Sequence, residues 1–343
     1  MFLAHGIRSI GATVFALIVL TPSALADRAI TVNWYHGKEF LQPVAQAFTY
    51  DTGIPVEITN GDDSFDTDVL LVPDYATLHR AADAGHFADI QSSGRDSKVP
   101  SQWRDPEGRW YGVLVRLRAI AYSPKHFSES SFSSIYDLMK PDLKGRVCLL
   151  QGSYKSNRSL LAGIIAQDGE AKARAWAAAV RANGTTEKPF DNDMDNVARI
   201  AKGECDVALL DNYYLHYMLE GKRTSKYNIP PEYIAVLDNY AMKVKIAWLE
   251  QETRGNPANV TAVAVSKKSN NKKQALRFVD FLLSDKGQEL LSENTFKYPV
   301  VPGVEWPWRL KDQGRVRISD FDVNRLRDYY PMADKIYRET GWE

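Results

Sequence analysis

Two adjacent tyrosines, Tyr213 and Tyr214, stand at a change of pattern within the stretch Cys205–Met218. Before them, Val207–Leu210 is an apolar run short enough for a buried strand. Asp211 and Asn212, both favoured at helix N-caps, come next, and a helical run starts at Tyr213. Two phenols are therefore expected where a strand ends and a helix begins. In open α/β sheets, ligands bind outside the carboxyl ends of strands. Two phenolates there suit a hard, highly charged cation, and a helix start favours anions. A free phenol titrates near pH 10, but a bound cation can force its proton off. The alternative is that one ring packs in the core and the other lies on the surface. Tyr35 and Tyr154 also fall at predicted strand ends, and that shared position favours a cleft.

These residues need elements to hold them. Ile30–Tyr35, Pro55–Thr59 and Asp68–Val72 read as strands, with helices at Phe40–Tyr50 and Tyr75–Ala84. Gly61–Asp66 is a short acidic loop. This βαβα order predicts a parallel sheet covered by helices. Ser92–Pro106 shows no clear element. Trp110–Tyr122, which carries Arg116 and Arg118, is longer than most strands and is expected to cross between two lobes. Val260–Val265 is the candidate for a second crossing. Arg146–Leu150 reads as a strand, and Gln151–Asn157 as a polar loop holding Tyr154. Helices are expected over Arg158–Gln167, Glu170–Ala182 and Asp191–Ala201. Tyr233–Leu237 and Val244–Trp248 read as strands, and Lys272–Leu283 and Gly287–Thr295 as helices. Tyr298–Pro302 is extended by its prolines, and Phe321–Trp342 is partly helical.

The remaining signals bound the class. Residues 1–26 read as a secretory signal, with Arg8, an apolar stretch over Ile10–Leu20 and the small-residue end Ala24-Leu25-Ala26. Its removal deletes one charge and leaves 42 basic against 43 acidic residues, a balance that gives no support for a nucleic-acid partner. Two cysteines in an exported chain, Cys148 and Cys205, suggest one disulfide; two buried free thiols are the alternative. The histidines show no metal-ligand spacing, and neither a Gly-x-Ser-x-Gly elbow nor a phosphate-cradling loop occurs. An enzyme is the weaker class.

Several short pieces, in order, carry a resemblance. They are Val32-Asn33-Trp34-Tyr35, Thr52-Gly53, Asp68-Val69-Leu70, Arg116-Leu117-Arg118 and Gly145-Arg146-Val147-Cys148 in the first half. Gly203-Glu204-Cys205-Asp206-Val207, Asn212-Tyr213-Tyr214-Leu215, Tyr298-Pro299-Val300-Val301 and Gly341-Trp342 follow. Over nearly the whole mature chain the sequence resembles the periplasmic ferric-ion-binding proteins of bacterial iron ABC importers. The resemblance implies an α/β, two-lobed periplasmic binding protein fold, each lobe a central sheet flanked by helices, with the ligand cleft at the hinge. The lobes are expected at residues 27–118 plus 256–300 and 119–255 plus 301–343. Fe(III) would be the cargo, with a companion anion, and an inner-membrane ABC permease the partner of a monomeric periplasmic protein.

The family's paired tyrosine ligands map onto Tyr213 and Tyr214. A third family tyrosine falls on Ser156 in a gapless count from Cys148, with Tyr154 two residues earlier. The family's His-Tyr pair beyond the first strand is matched here by Tyr35-His36, in a shorter segment. The family helix before the Asp68 strand is replaced by Gly61–Asp66. The expected metal set is therefore Tyr213, Tyr214, Tyr154, His36 and Tyr35. Arg116 and Arg118 are the anion candidates, with ordinary ion pairing as the alternative. A binding protein for an organic anion or an iron chelate is the second reading.

Overall fold

The computed structural model describes residues 29–61, 65–185, 192–221 and 231–342. The expected secretory signal at residues 1–26 and the middle of the Gly61–Asp66 loop lie outside the described residues. In chain order the strands are β1 (Ile30–Trp34), β2 (Val56–Asn60), β3 (Val69–Val72), β4 (Trp110–Tyr122), β5 (Val147–Cys148), β6 (Val207–Asp211), β7 (Lys245–Ala247), β8 (Ala258–Val265) and β9 (Tyr298–Pro299). β1 pairs in parallel with β2 and β3. Parallel neighbours need a crossover rather than a hairpin, and the helix Lys38–Thr52 supplies it. Its buried residues Phe40, Leu41, Val44, Ala45 and Phe48 recur at helical spacing, so one face packs onto the sheet. Gly53 ends it with φ 74°, a left-handed position that favours glycine.

β4 organises the rest. All 13 of its residues are buried, and at strand rise it spans about 40 Å. Residues 110–117 pair with β8, which in turn pairs with β3, and Leu114–Val115 also meet β9. Residues 118–122 pair instead with β6 and β7, and β5 lies parallel to β6. One strand thus leaves one set of partners and enters another. Both sets are joined through β4 in a single hydrogen-bonded order, β2-β1-β3-β8-β4-β6-β5. Helices cover this curled sheet, giving the expected α/β architecture.

Four expectations need correcting. Val260–Val265 shows no such change of partners: among the described residues β8 pairs with β3 and with residues 110–117 of β4 along its whole length, while β7 pairs with residues 120–122. Tyr233–Leu237 lies in the helix Pro231–Ala241. Its β-branched residues suggested a strand, but apolar positions 233, 236, 237 and 240 have the helical period. Ser92–Pro106 holds the helix Ser93–Lys98, started by the Ser92 side chain accepting from Arg95 N, and a 3₁₀ turn at Ser101–Trp103. The helix expected from Arg158 starts at Lys155, so most of the expected Gln151–Asn157 loop shortens to the residues before it.

Cys148 and Cys205 form a disulfide. It ties β5 to the residues leading into β6, next to the parallel pair Cys148↔Ala208. It closes a sequence separation of 57 residues. Replacing both cysteines with serine is expected to cost about 2–4 kcal/mol in urea unfolding, chiefly by releasing the unfolded chain. Equal unfolding midpoints for the wild type and the double variant would reject this.

Candidate functional site

β6 delivers the tyrosine pair. Its last residue, Asp211, lies opposite Arg118 of β4, and Asn212 follows with helical backbone, φ −52° and ψ −36°. Asn212 takes the N-cap position, but without a capping hydrogen bond from its side chain. The Asn212 side chain instead accepts from Leu117 N at 3.0 Å and donates to Phe296 O at 3.3 Å. It thereby locks β6 to β4 and to the segment before β9. Tyr213 and Tyr214 open the helix Tyr213–Leu219, both are buried, and their ring centroids are 4.4 Å apart.

Tyr154 comes from the loop before the helix Lys155–Asp168. Gly152 fixes that loop: its N–H donates to Trp342 O at 2.8 Å, and a Cβ there would lie 2.1 Å from the same oxygen. Trp342 Nε1 also donates to Leu150 O at 2.7 Å, and Tyr337 Oη to Asn157 O at 2.9 Å. The C-terminal segment is thus the clamp that aims Tyr154. The Tyr154 and Tyr214 hydroxyls meet at 3.1 Å. Ser156, the gapless match to the third family tyrosine, is buried and donates to Asp211 Oδ2 at 2.6 Å.

The facing wall is the end of β1. Gly61 packs so tightly there that a Cβ would lie 2.3 Å from Tyr35 Cα, and its N–H donates to Trp34 O. Tyr35 and His36 follow the strand. Lys155 reaches across, its Nζ 4.0 Å from the Tyr35 ring centroid and 3.9 Å from Asp74 Oδ2. His36 stands edge-on to Tyr213 at 5.8 Å, and its Nε2 meets Lys297 Nζ at 2.7 Å. Between the walls is a cleft of about 380 Å³ lined by Tyr35, His36, Arg116, Tyr154, Tyr213 and Tyr214, among others. So all five expected metal candidates, and Arg116, come together.

Arg118 does not reach this lining. It lies behind Asp211, bonded to Asp211 Oδ1 at 3.1 Å, Asn157 Oδ1 at 2.9 Å and Leu209 O at 3.3 Å. Arg116 approaches the other Asp211 oxygen at 3.2 Å and donates to Pro73 O. Burial raises the Asp211 carboxyl, but Arg118, Arg116 and the Ser156 hydroxyl outweigh it and hold it below the usual carboxylate range. Asp193, fully buried and 3.6 Å from Arg118, is held up at about 7 by burial, with Asp211 adding to the rise and Arg118 opposing it. Burial raises the Tyr213 phenol well above its ordinary value, and Asp211 and Tyr154 add to this. Without a cation the phenol therefore keeps its proton. Burial, with Arg116 nearby, pulls the Lys297 ammonium well below the lysine range.

Among the described residues no group of three or more His, Cys, Asp or Glu side chains could hold a metal ion. The candidate donors are the phenols. Three residues outside the expected set shape the site: Asp211, read from the sequence as a helix cap, Lys155 and Lys297. Only Asp211 left a signal, because Arg116 and Arg118 share one face of β4 by their spacing and need a buried counter-charge.

The same helix carries His216 on its other side. His216 is 6% exposed, packs 5.3 Å from Phe296, and lines a separate hollow with Leu215, Leu219 and Met242. Burial pushes its imidazole down to about 4, with Arg309 adding to the effect. The unfolded chain takes up this proton near pH 6.5 and the folded chain only near 4, so stability falls as pH drops through that window. The loss from this group is about 3 kcal/mol. His216→Met is expected to lose correspondingly less stability than wild type between pH 7 and pH 4, by urea titration. Identical losses would contradict this.

Residues 68–322 match the family of bacterial extracellular solute-binding proteins. Iron uptake protein A1 of Synechocystis sp. is 32% identical over 308 residues, covering 86% of this chain and 82% of that protein. The major ferric iron-binding protein of Neisseria meningitidis serogroup B is 28% identical and covers 95% of this chain and 96% of its own length. Among solved structures, the Trichodesmium protein (IdiA, FutA) in complex with iron and citrate superposes with a TM-score of 0.82 at 29% identity, covering 92% of this chain and 100% of that one. The ferric binding protein from Campylobacter jejuni gives a TM-score of 0.81 at 25% identity, with 92% and 100% covered. The chain belongs to the family of bacterial extracellular solute-binding proteins.

Proposed function

We propose that this protein captures Fe(III) in the cleft as a phenolate complex of Tyr213, Tyr214 and Tyr154, with Tyr35 facing them. The observation that carries this is the 3.1 Å approach of the Tyr154 and Tyr214 hydroxyls. Two oxygens at that separation can both lie roughly 2.0–2.2 Å from one ion, the usual oxygen–metal bond length, at an angle near 90–100°. Tyr213, its ring beside that of Tyr214, adds a third phenol. Three phenolates match a trivalent charge. Because burial keeps the free phenol protonated, binding releases protons and acid opposes it. Arg116 and Lys155 supply positive charge for a companion anion such as a carboxylate chelator.

In this reading the chain is exported behind residues 1–26, works in the periplasm as a monomeric binding protein rather than an enzyme, and delivers iron to an inner-membrane ABC permease. Its lobes are residues 27–118 plus 256–300 and 119–255 plus 301–343, a division supported by the change of β4 partners at Leu117–Arg118. Equilibrium dialysis of the purified protein against citrate-buffered Fe(III) tests the reading. One iron per chain is expected; no retained iron would overturn it.

A further inference from the structure

Lys297 is fully buried, and it lies against His36 and Tyr213, which line the cleft. Its Nζ lies 2.7 Å from His36 Nε2, 4.6 Å from the Tyr213 ring centroid and 5.8 Å from that of Trp34. The backbone around it is held firmly. Ser292 Oγ donates to Lys297 O at 2.6 Å, Asn212 Nδ2 to Phe296 O at 3.3 Å, and Tyr298 pairs with Val115 of β4. An ammonium has three donors and no acceptor, so His36 Nε2 must accept from it; a neutral amine can accept from Nε2–H instead. In both forms the distal ring nitrogen is occupied.

Building on the phenolate reading of the cleft, we propose that Lys297 withholds the Nε2 nitrogen of His36 from the cargo ion and so sets the metal preference of the site. Imidazole suits Zn, Cu, Fe and Ni, and divalent affinity at nitrogen and oxygen sites rises toward Cu and Zn. A site of anionic oxygens alone bonds mainly through charge, which favours a trivalent ion. Held by Lys297, the Nε2 edge of His36 stands beside Tyr213 without ligating the ion. Removing the amine frees a nitrogen ligand next to the phenols, and divalent ions gain most from it.

Lys297→Met keeps an unbranched, flexible side chain one atom shorter and removes the amine. Zn(II) and Fe(III), the latter as ferric nitrilotriacetate, are titrated into wild type, Lys297→Met and Lys297→Met combined with His36→Gln. The Zn(II)-to-Fe(III) affinity ratio is expected to rise on the order of 10- to 100-fold in the single variant, and to return to the wild-type ratio in the double variant. A merely structural role for Lys297 would not produce a gain that depends on His36. An unchanged ratio in Lys297→Met, or a gain that persists without His36, overturns the proposal. Should Lys297→Met not fold, His36→Gln alone decides. Unchanged Fe(III) and Zn(II) affinities support a withheld nitrogen, whereas a loss of about tenfold or more in Fe(III) affinity makes His36 a ligand and overturns it. Wild type that binds no Fe(III) refutes the phenolate reading itself, and this proposal with it; wild type that binds Fe(III) with an unmoved ratio refutes only the role of Lys297.

Discussion

Tyr213→Phe and Tyr214→Phe are each expected to lower Fe(III) affinity by more than roughly 100-fold, since even changes beyond the ligands cost 10- to 100-fold. The substitution removes one anionic oxygen and leaves the ring. Both rings are buried and lie against each other at 4.4 Å, and packing of this kind is carried by ring area rather than by the hydroxyl. The variants should therefore fold, with unfolding midpoints close to wild type. Tyr214→Phe also ends the contact with the Tyr154 hydroxyl, 3.1 Å away, so Tyr154→Phe should weaken iron binding as well. The measurement is competition with citrate for Fe(III) across the three variants. Wild-type affinity in either Tyr213→Phe or Tyr214→Phe would remove that residue from the ligand set. Loss of affinity accompanied by loss of the folded state would leave packing, not ligation, as its role.

Asp211→Ala is expected to be the most destabilising single change near the cleft. Asp211 is 1% exposed and is the shared counter-ion of Arg116 and Arg118, which are each 4% exposed. Desolvating these charges is costly, and removing one partner leaves the others uncompensated, a loss of about 3–5 kcal/mol. Ser156 also loses the acceptor of its 2.6 Å hydrogen bond. Asp211→Asn should fall between, because an amide still accepts a hydrogen bond but brings no charge. Urea unfolding of the two variants checks the order. A loss below about 1 kcal/mol, the level of a surface pair, would contradict the picture of a buried charge cluster.

Much of the frame was readable because its signals are local. β4 matches its predicted range end to end, since a largely apolar stretch broken only by Gly112, Arg116 and Arg118, with Val113, Val115 and Ile120 β-branched, reads as extended chain. The alanine-rich helix Glu170–Ala182 was legible because Asn183-Gly184 ends it. Tyr213 and Tyr214 were visible for the same reason: a pattern change from strand to helix marks a strand end. The helix start at Lys155 was hidden by its polar first turn, Lys155-Ser156-Asn157-Arg158, which reads as a loop.

What escaped depends on contacts distant in sequence. A lysine flanking an apolar run ordinarily reads as solvated, and Lys297 is buried only because β9 docks on β4 and brings it to His36, 261 positions away. Asp211 looked like a helix cap because Asp is favoured there. Pairing with β4 gives its carboxylate two guanidiniums, a stronger claim than a backbone N–H. The same pairing turns Arg118 from a cleft residue into a buried partner of Asp211, while Arg116 stays at the cleft wall.

The most direct test of iron capture by phenolates is optical. Purified protein, stripped of metal with a chelator, is titrated with ferric nitrilotriacetate while the visible spectrum is recorded. Charge transfer from phenolate to Fe(III) is expected to give a broad visible band that saturates at one iron per chain and bleaches on acidification as the phenols regain their protons. A protein that stays colourless with excess Fe(III), or that takes up iron without such a band, would contradict phenolate ligation in this cleft.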